Sequence, residues 1–174
     1  KVVDSQMLAF NQGVTRRGSY ASYMDIDHPE IEEFINIRKE SGGDINRKCL
    51  NIHNGVNLTN DFLQAVQEDN DWRLIDPKTK EAVKTVNARD LWWQIINARA
   101  ETGEPYMVNI DTCNEFLPKE QKALGLDIKQ SNLCSEITLP TNEERTAVCC
   151  LSSVNLEHYD DWSTDENFIK DLIT

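Results

Sequence analysis

Leu50-Asn51-Ile52-His53-Asn54-Gly55-Val56-Asn57-Leu58 alternates in character along its length. Leu50, Ile52, Val56 and Leu58 fall on one face of an extended run. Asn51, His53, Gly55 and Asn57 fall on the other, because successive side chains of a strand point to opposite sides. A polar strand face is unusual in a closed core and normal where that face lines a site or water. Directly downstream, Thr59 or Asn60 can cap a helix carrying Phe62, Leu63 and Val66.

The alternation of strand and helix extends outward in both directions. Upstream, Tyr20 to Ile26 reads as extended. Asp27-His28-Pro29 starts a helix, with Pro in its first turn and Glu30, Glu32 and Glu33 near its positive end. Ile31, Phe34, Ile35 and Ile37 supply its apolar side, and Ser41-Gly42-Gly43 end it. Downstream, Trp72 to Ile75, a turn at Asp76-Pro77 and Glu81 to Lys84 form a small hairpin. Asn87 with Asp90 marks a helix start, Ala88, Leu91, Trp92 and Ile95 form its stripe, and Gly103 ends it. Pro105 to Ile110 is another strand. Gln130 to Leu139 and Thr146 to Leu156 also read as extended. This order predicts an α/β fold with largely parallel strands. Val3, Met7 and Phe10 recur at helical spacing from the first residues. The apolar pattern of Phe168, Ile169, Leu172 and Ile173 is still running at the last, so a section of a longer chain is expected.

The 174 residues suffice for one domain with a core, and 39% hydrophobic with 28% charged residues is ordinary for a globular protein. Thirty acidic against 18 basic residues give a formal charge of -12. That argues against broad DNA or RNA binding, which needs a basic surface, but leaves room for a small phosphate-bearing ligand. No window reaches the roughly 18 apolar residues of a membrane span, and no signal-peptide pattern opens the chain. A cytoplasmic location is expected. The five cysteines form neither a C-x-x-C pair nor a zinc-type Cys/His spacing. Free thiols are expected, and no metal is assigned to His28, His53 or His158. Asp111 and Asn114, beside Cys113, read as residues that hold a turn after a strand.

Ser131-Asn132-Leu133-Cys134-Ser135-Glu136 carries the chemistry. In an extended run Asn132, Cys134 and Glu136 share a face and Leu133 points away. An amide can hold a hydroxyl, a carboxylate can take its proton, and a thiol can act as nucleophile or one-electron centre. Spacing alone is weak support, since N-x-C-x-E is a short pattern with many chance matches. Ala147-Val148-Cys149-Cys150-Leu151-Ser152 is a second small, strand-like run with two adjacent thiols, of which only one can face Cys134.

Gln130 to Ile137, followed by Ala147-Val148-Cys149, Leu151-Ser152 and Asn155-Leu156, resembles the large subunit of class I ribonucleotide reductases. Asn11-Gln12-Gly13 with Arg16 and Gly18 is similar to the family's specificity loop, near 11–19, although Val14 and Arg17 stand where the family often has a second glycine or a proline. The helix from His28, Gly55-Val56-Asn57 and Asn109 to Asn114 extend the resemblance along nearly the whole chain in order.

The resemblance implies a ten-stranded α/β barrel of the ribonucleotide reductase and glycyl-radical type, with a central finger loop near 130–138. Residues 1–174 would be a middle section of that barrel. It implies reduction of ribonucleoside diphosphates to 2′-deoxyribonucleoside diphosphates. In that reaction Cys134 becomes the thiyl radical, Glu136 accepts the 3′-hydroxyl proton and Asn132 holds the sugar hydroxyls. Leu133 and Ser135 complete the substrate-binding tip. Cys149 is half of a redox dithiol whose partner lies upstream of Lys1. Gln12, Gly13, Arg16 and Arg17 would relay effector identity. No cofactor is bound directly. The implied partners are a metal-containing, radical-generating small subunit, a thioredoxin- or glutaredoxin-type reductant and a second copy of the full-length chain. Nucleoside triphosphates (ATP, dATP, dTTP, dGTP) are the implied effectors. The 174 residues alone are expected to be inactive. Two alternatives are a cobalamin-dependent relative, disfavoured because a proline is expected before its cysteine, and a non-catalytic acidic interaction module derived from the barrel.

Overall fold

The computed structural model describes residues 1–13 and 15–173, with Asn11 and Gln12 described in their backbone alone. Helix α1 (Val2–Ala9) leads into a minimal hairpin, β1 (Asn11–Gln12) with β2 (Arg16–Arg17). Then follow β3 (Ala21–Asp25), α2 (Ile31–Ile35), a 3-10 turn at Ile45–Arg47, β4 (His53–Leu58) and α3 (Asn60–Glu68). A second hairpin, β5 (Asp71–Ile75) with β6 (Ala82–Asn87), precedes the long helix α4 (Ala88–Thr102). Strand β7 (Tyr106–Asn109) runs into α5 (Ile110–Glu115) and α6 (Lys119–Ala123). From 124 to 155 the chain forms neither helix nor extended ladder, apart from one bridge between Asn142 and Arg145. A 3-10 turn at Leu156–His158, α7 (Tyr159–Trp162) and α8 (Phe168–Ile173) complete it.

The organising unit is a parallel sheet in the order β3-β4-β7. Its register sets Tyr23 beside Gly55 and Gly55 beside Tyr106. Three strand-to-helix junctions carry a side-chain cap, whereas α2, after β3, has none. Thr59 Oγ1 accepts from Phe62 N (3.2 Å), the Asn87 side chain from Asp90 N (3.0 Å), and the Asn109 side chain from Thr112 N (3.0 Å). These bonds satisfy backbone donors that a helix start leaves free.

The apolar face of β4, Val56 and Leu58, packs with Ile26, with Ile31, Phe34 and Ile35 of α2, and with the inward stripes of α3 and α4. Phe62, Leu91 and Ile95 are almost completely buried there, each contributing roughly 1.5–3 kcal/mol. The stripe read on α4 is confirmed at Ala88, Leu91 and Ile95, and Gly103 ends that helix with φ 81°.

The sheet of described residues is open and three-stranded, and no barrel closes among them. Several expectations are corrected. Helix α2 starts only at Ile31 and ends before Asn36, so Ser41-Gly42-Gly43 belong to a separate loop. The loop near 11–19 is the β1–β2 hairpin. In α1 the helical spacing of Val3 and Met7 holds, both half-buried, but the buried side chain is Asp4, whose carboxylate accepts from Asn51 N (2.7 Å) and Asn51 Nδ2 (3.2 Å), and Phe10, just past the helix, is exposed. Gln130–Leu139 and Thr146–Leu156 form no strands. Alternation of polar and apolar residues makes a strand only where a neighbour supplies ladder bonds, and neither run has one.

Candidate functional site

The polar face of β4 is where the chemistry-bearing segment is hung. Gly55 stands at its centre, with the Tyr23 ring lying across it. A Cβ at position 55 would sit 2.4 Å from Tyr23 Cε1, so only glycine admits the ring. Beyond it, Tyr106 stacks on His53 with ring centroids 6.0 Å apart and planes 11° off parallel. His53 Nδ1 pairs with the buried carboxylate of Glu104, which also accepts from Asn54 N (3.1 Å) and pairs with Arg38 Nε (3.4 Å). Arg38 Nη1 in turn donates to the carbonyls of Leu50 (2.6 Å) and Ile52 (2.8 Å). This network ties the start of β4 to that of β7.

Three side chains then hold the segment that follows α6. Asn114 Oδ1 accepts from Ile128 N (2.7 Å) and its Nδ2 donates to Ile128 O (3.0 Å). Asn57 Nδ2 donates to Lys129 O (2.9 Å) and to Asp25 Oδ1 (2.8 Å). Tyr23 Oη donates to Asn132 O (2.8 Å). Asn114 and Asp111 lie in α5 and not in a turn after β7: Asn114 braces the segment at Ile128, and Asp111 caps α3 by accepting from Asn60 N (2.7 Å).

Residues 131–137 close on themselves as a turn. Asn132 N donates to Ile137 O (3.0 Å), Ser135 N to Asn132 O (3.3 Å), and Ser131 Oγ to Ile137 O (2.9 Å). Asn132 Oδ1 accepts from both Glu136 N and Ile137 N (3.1 Å each). Ser135 takes a left-handed φ of 71°, which lets the chain reverse. The extended run with Asn132, Cys134 and Glu136 on one face is thus overturned. A short polar side chain that satisfies its own backbone competes with strand formation. Leu133 and Ser135 are half-buried, and Cys134 and Glu136 are exposed at the tip.

Electrostatics still bring the tip groups to one place. Tyr23 holds its proton above the ordinary range, chiefly because it is partly buried. The polar side chains of Ser135 and Ser131 pull the other way, while Glu136 and Cys134 add to the upward shift. Tyr106 is raised too, first by burial and then by Glu104, Tyr23 and Cys134, with Arg38 opposing. Cys134 and Glu136 therefore lie within electrostatic reach of the same phenol. Asn132 and Cys149 line one cavity of about 220 Å³ with Ser131, Ile137 and Thr146; Cys134 and Glu136 are not in that lining. A wider cavity of about 780 Å³, lined partly by Asp25, Asp27, Asn57, Asp61 and Asp111, opens by the carboxyl ends of β3 and β4.

In the β1–β2 hairpin, Gly13 (φ 72°), Arg16 and Arg17 are exposed, with Gln12 paired to Arg16 through the backbone. The Gln12 side chain and Val14 lie outside the described residues. Among those residues, no side-chain hydrogen bond or ion pair joins Arg16 or Arg17 to the Cys134 turn. Nor do they include a group of three or more His, Cys, Asp or Glu that could hold a metal ion. Sequence reasoning missed Tyr23, Tyr106, Glu104 and Arg38. The one local signal was the isolated glycine inside a strand, which marks a close approach.

Residues 1–173 match the family model described as ribonucleotide reductase, barrel domain. A relative from Frog virus 3 (isolate Goorha) is 54% identical over 92% of this chain and 28% of its own length. The ribonucleoside-diphosphate reductase large subunit of Invertebrate iridescent virus 3 is 42% identical, over 100% of this chain and 36% of its own. Among solved structures, the class Id ribonucleotide reductase alpha subunit of Actinobacillus ureae superposes with a TM-score of 0.65 at 32% identity, covering 86% of this chain and 25% of that one. The chain thus spans about a quarter to a third of the length of these relatives.

Proposed function

The chain belongs to the ribonucleotide reductase barrel-domain family, and from that premise we propose that it supplies the section of a class I large subunit carrying the radical cysteine. The carrying observation is a thiol, Cys134, presented at the tip of a turn hung from the polar face of a parallel sheet, with the thiol and the Glu136 carboxylate both within electrostatic reach of the half-buried Tyr23 phenol.

The reaction replaces the 2′-hydroxyl of a ribonucleoside diphosphate with hydrogen. A radical-generating, metal-containing small subunit removes a hydrogen atom from the Cys134 thiol. The thiyl takes the 3′-hydrogen of the ribose. Glu136 receives the 3′-hydroxyl proton, and the 2′-hydroxyl leaves as water with a proton from the dithiol of Cys149 and a second thiol. That dithiol gives its other hydrogen to C2′ and ends as a disulfide, and Glu136 returns its proton to the 3′-oxygen. The hydrogen held by Cys134 returns to C3′ and the thiyl is regenerated. Asn132 faces the cavity it shares with Cys149, where its amide can reach a sugar hydroxyl. A thioredoxin- or glutaredoxin-type protein restores the dithiol. The full-length chain works as a homodimer whose β1–β2 hairpin, through Gln12, Gly13, Arg16 and Arg17, carries the identity of a bound nucleoside triphosphate to the substrate.

A radical centre must be screened from water and stray hydrogen donors. Here Cys134 and Cys149 are both exposed, and the sheet they stand by is open. Turnover therefore needs the remaining strands. The test is Cys134→Ser in the full-length large subunit, assayed with its radical-generating subunit and a dithiol. Deoxynucleotide formation should fall to background while nucleoside diphosphate still binds, and the 174 residues alone should form none. Retained product in Cys134→Ser would refute the reading.

A further inference from the structure

We infer that Tyr23 is a positioning residue for Cys134: its ring, seated on Gly55, and its hydroxyl, bonded to the Asn132 carbonyl, set where the thiol stands over the ribose. The inference rests on the function proposed above. Three anchors walk along the suspended segment, from Asn114 at Ile128 to Asn57 at Lys129 to Tyr23 at Asn132. Among the described residues Tyr23 is the last side chain of the sheet to grip the chain before Cys134. The bond spans 109 residues and joins β3 directly to the reactive turn.

Its acceptor is also the pivot of that turn. The same Asn132 carbonyl accepts from Ser135 N, and the Asn132 side chain caps Glu136 and Ile137. Moving Asn132 therefore moves Cys134 and Glu136 together. The ring has one seat, since a methyl group at position 55 would collide with it. On the near side of the tip the Ser131 hydroxyl donates to Ile137 O (2.9 Å), which closes the turn that Tyr23 holds. Hydrogen-atom transfer depends steeply on the distance between donor and acceptor, so a group that fixes the sulfur acts on the chemical step more than on binding.

The test uses the full-length large subunit with its radical-generating subunit, a dithiol and CDP. Tyr23→Phe keeps the ring and removes the bond. It should lower kcat about tenfold, the scale of one hydrogen bond realised in the transition state, with KM for CDP changed less than about twofold. Gly55→Ala displaces the ring and should act in the same direction. The double variant should be no worse than the poorer single one, because both break one link. If Gly55→Ala does not fold, Tyr23→Phe decides alone. A kcat for Tyr23→Phe within about twofold of wild type would overturn the inference, and so would a kcat loss matched by loss of folded protein in circular dichroism. Cys134→Ser separates the two levels. If it is dead while Tyr23→Phe is fully active, the positioning role fails and the proposed reaction stands. If it still turns over, the proposed reaction itself fails.

Discussion

Asp27 shows how one carboxyl can report on its surroundings. It lies in the wide acidic cavity, and burial, followed by the charge of Asp25, holds its proton above the ordinary value of 3.8. The native state therefore keeps this proton to a higher pH than the unfolded chain. Its contribution to stability is fully present below 3.8 and is lost as pH rises through the raised value. Asp27→Asn should raise the melting temperature at pH 7, with the gain vanishing below about pH 4. An equal gain at both ends of a pH series would contradict the assignment. At the same scale, the thiol at 134 and the carboxylate at 136 could be singled out from the sequence. Tyr23 could not, because its partner lies 109 residues away and the glycine that marks its seat, Gly55, says that something approaches closely but not what.

Elements with their own start signals were readable. Thr59 and Asn87 cap α3 and α4 as expected, since a cap is a local bond between a side chain and a backbone donor two or three residues on. Asn87 also bridges to Asp69 Oδ1 (3.0 Å), tying the start of α4 to the end of α3. Asn87→Ala should cost about 1–2 kcal/mol, read as a lower urea midpoint at unchanged slope. The segment from Gln130 to Leu139 was misread for an equally physical reason. Its alternating pattern resembles a strand, but Asn132 turns inward to bond Glu136 N and Ile137 N. A two-residue pattern cannot show whether a side chain will bond a neighbour strand or its own backbone. The polar face of β4, by contrast, is legible in the alternation of Leu50 to Leu58, because that face does line something. It docks the 128–132 segment through Asn57 and, by way of Gly55, through Tyr23.

For the whole molecule, the helix-strand alternation told of parallel strands, and β3, β4 and β7 are parallel. Closure of a barrel is not written into any single stretch, since it depends on strands pairing at both edges. Here β4 is paired on both sides, while β3 and β7 each have one partner among the described residues. Protection from exchange should follow that inequality. In hydrogen–deuterium exchange of the chain, peptides covering Gly55 to Leu58 should be the slowest. Those covering 143–151, exposed and without helix or strand, should be fast. Comparable protection in the two would contradict the open arrangement.

The suspension of the 128–132 segment has a mechanical corollary. Its three pegs stand on different supports, Tyr23 on β3, Asn57 on β4 and Asn114 on α5. A slide of one strand along its neighbour, by even a fraction of an ångström, would tilt the suspended tip and carry the sulfur sideways. Whatever shears this sheet would thereby displace the Cys134 thiol without touching it.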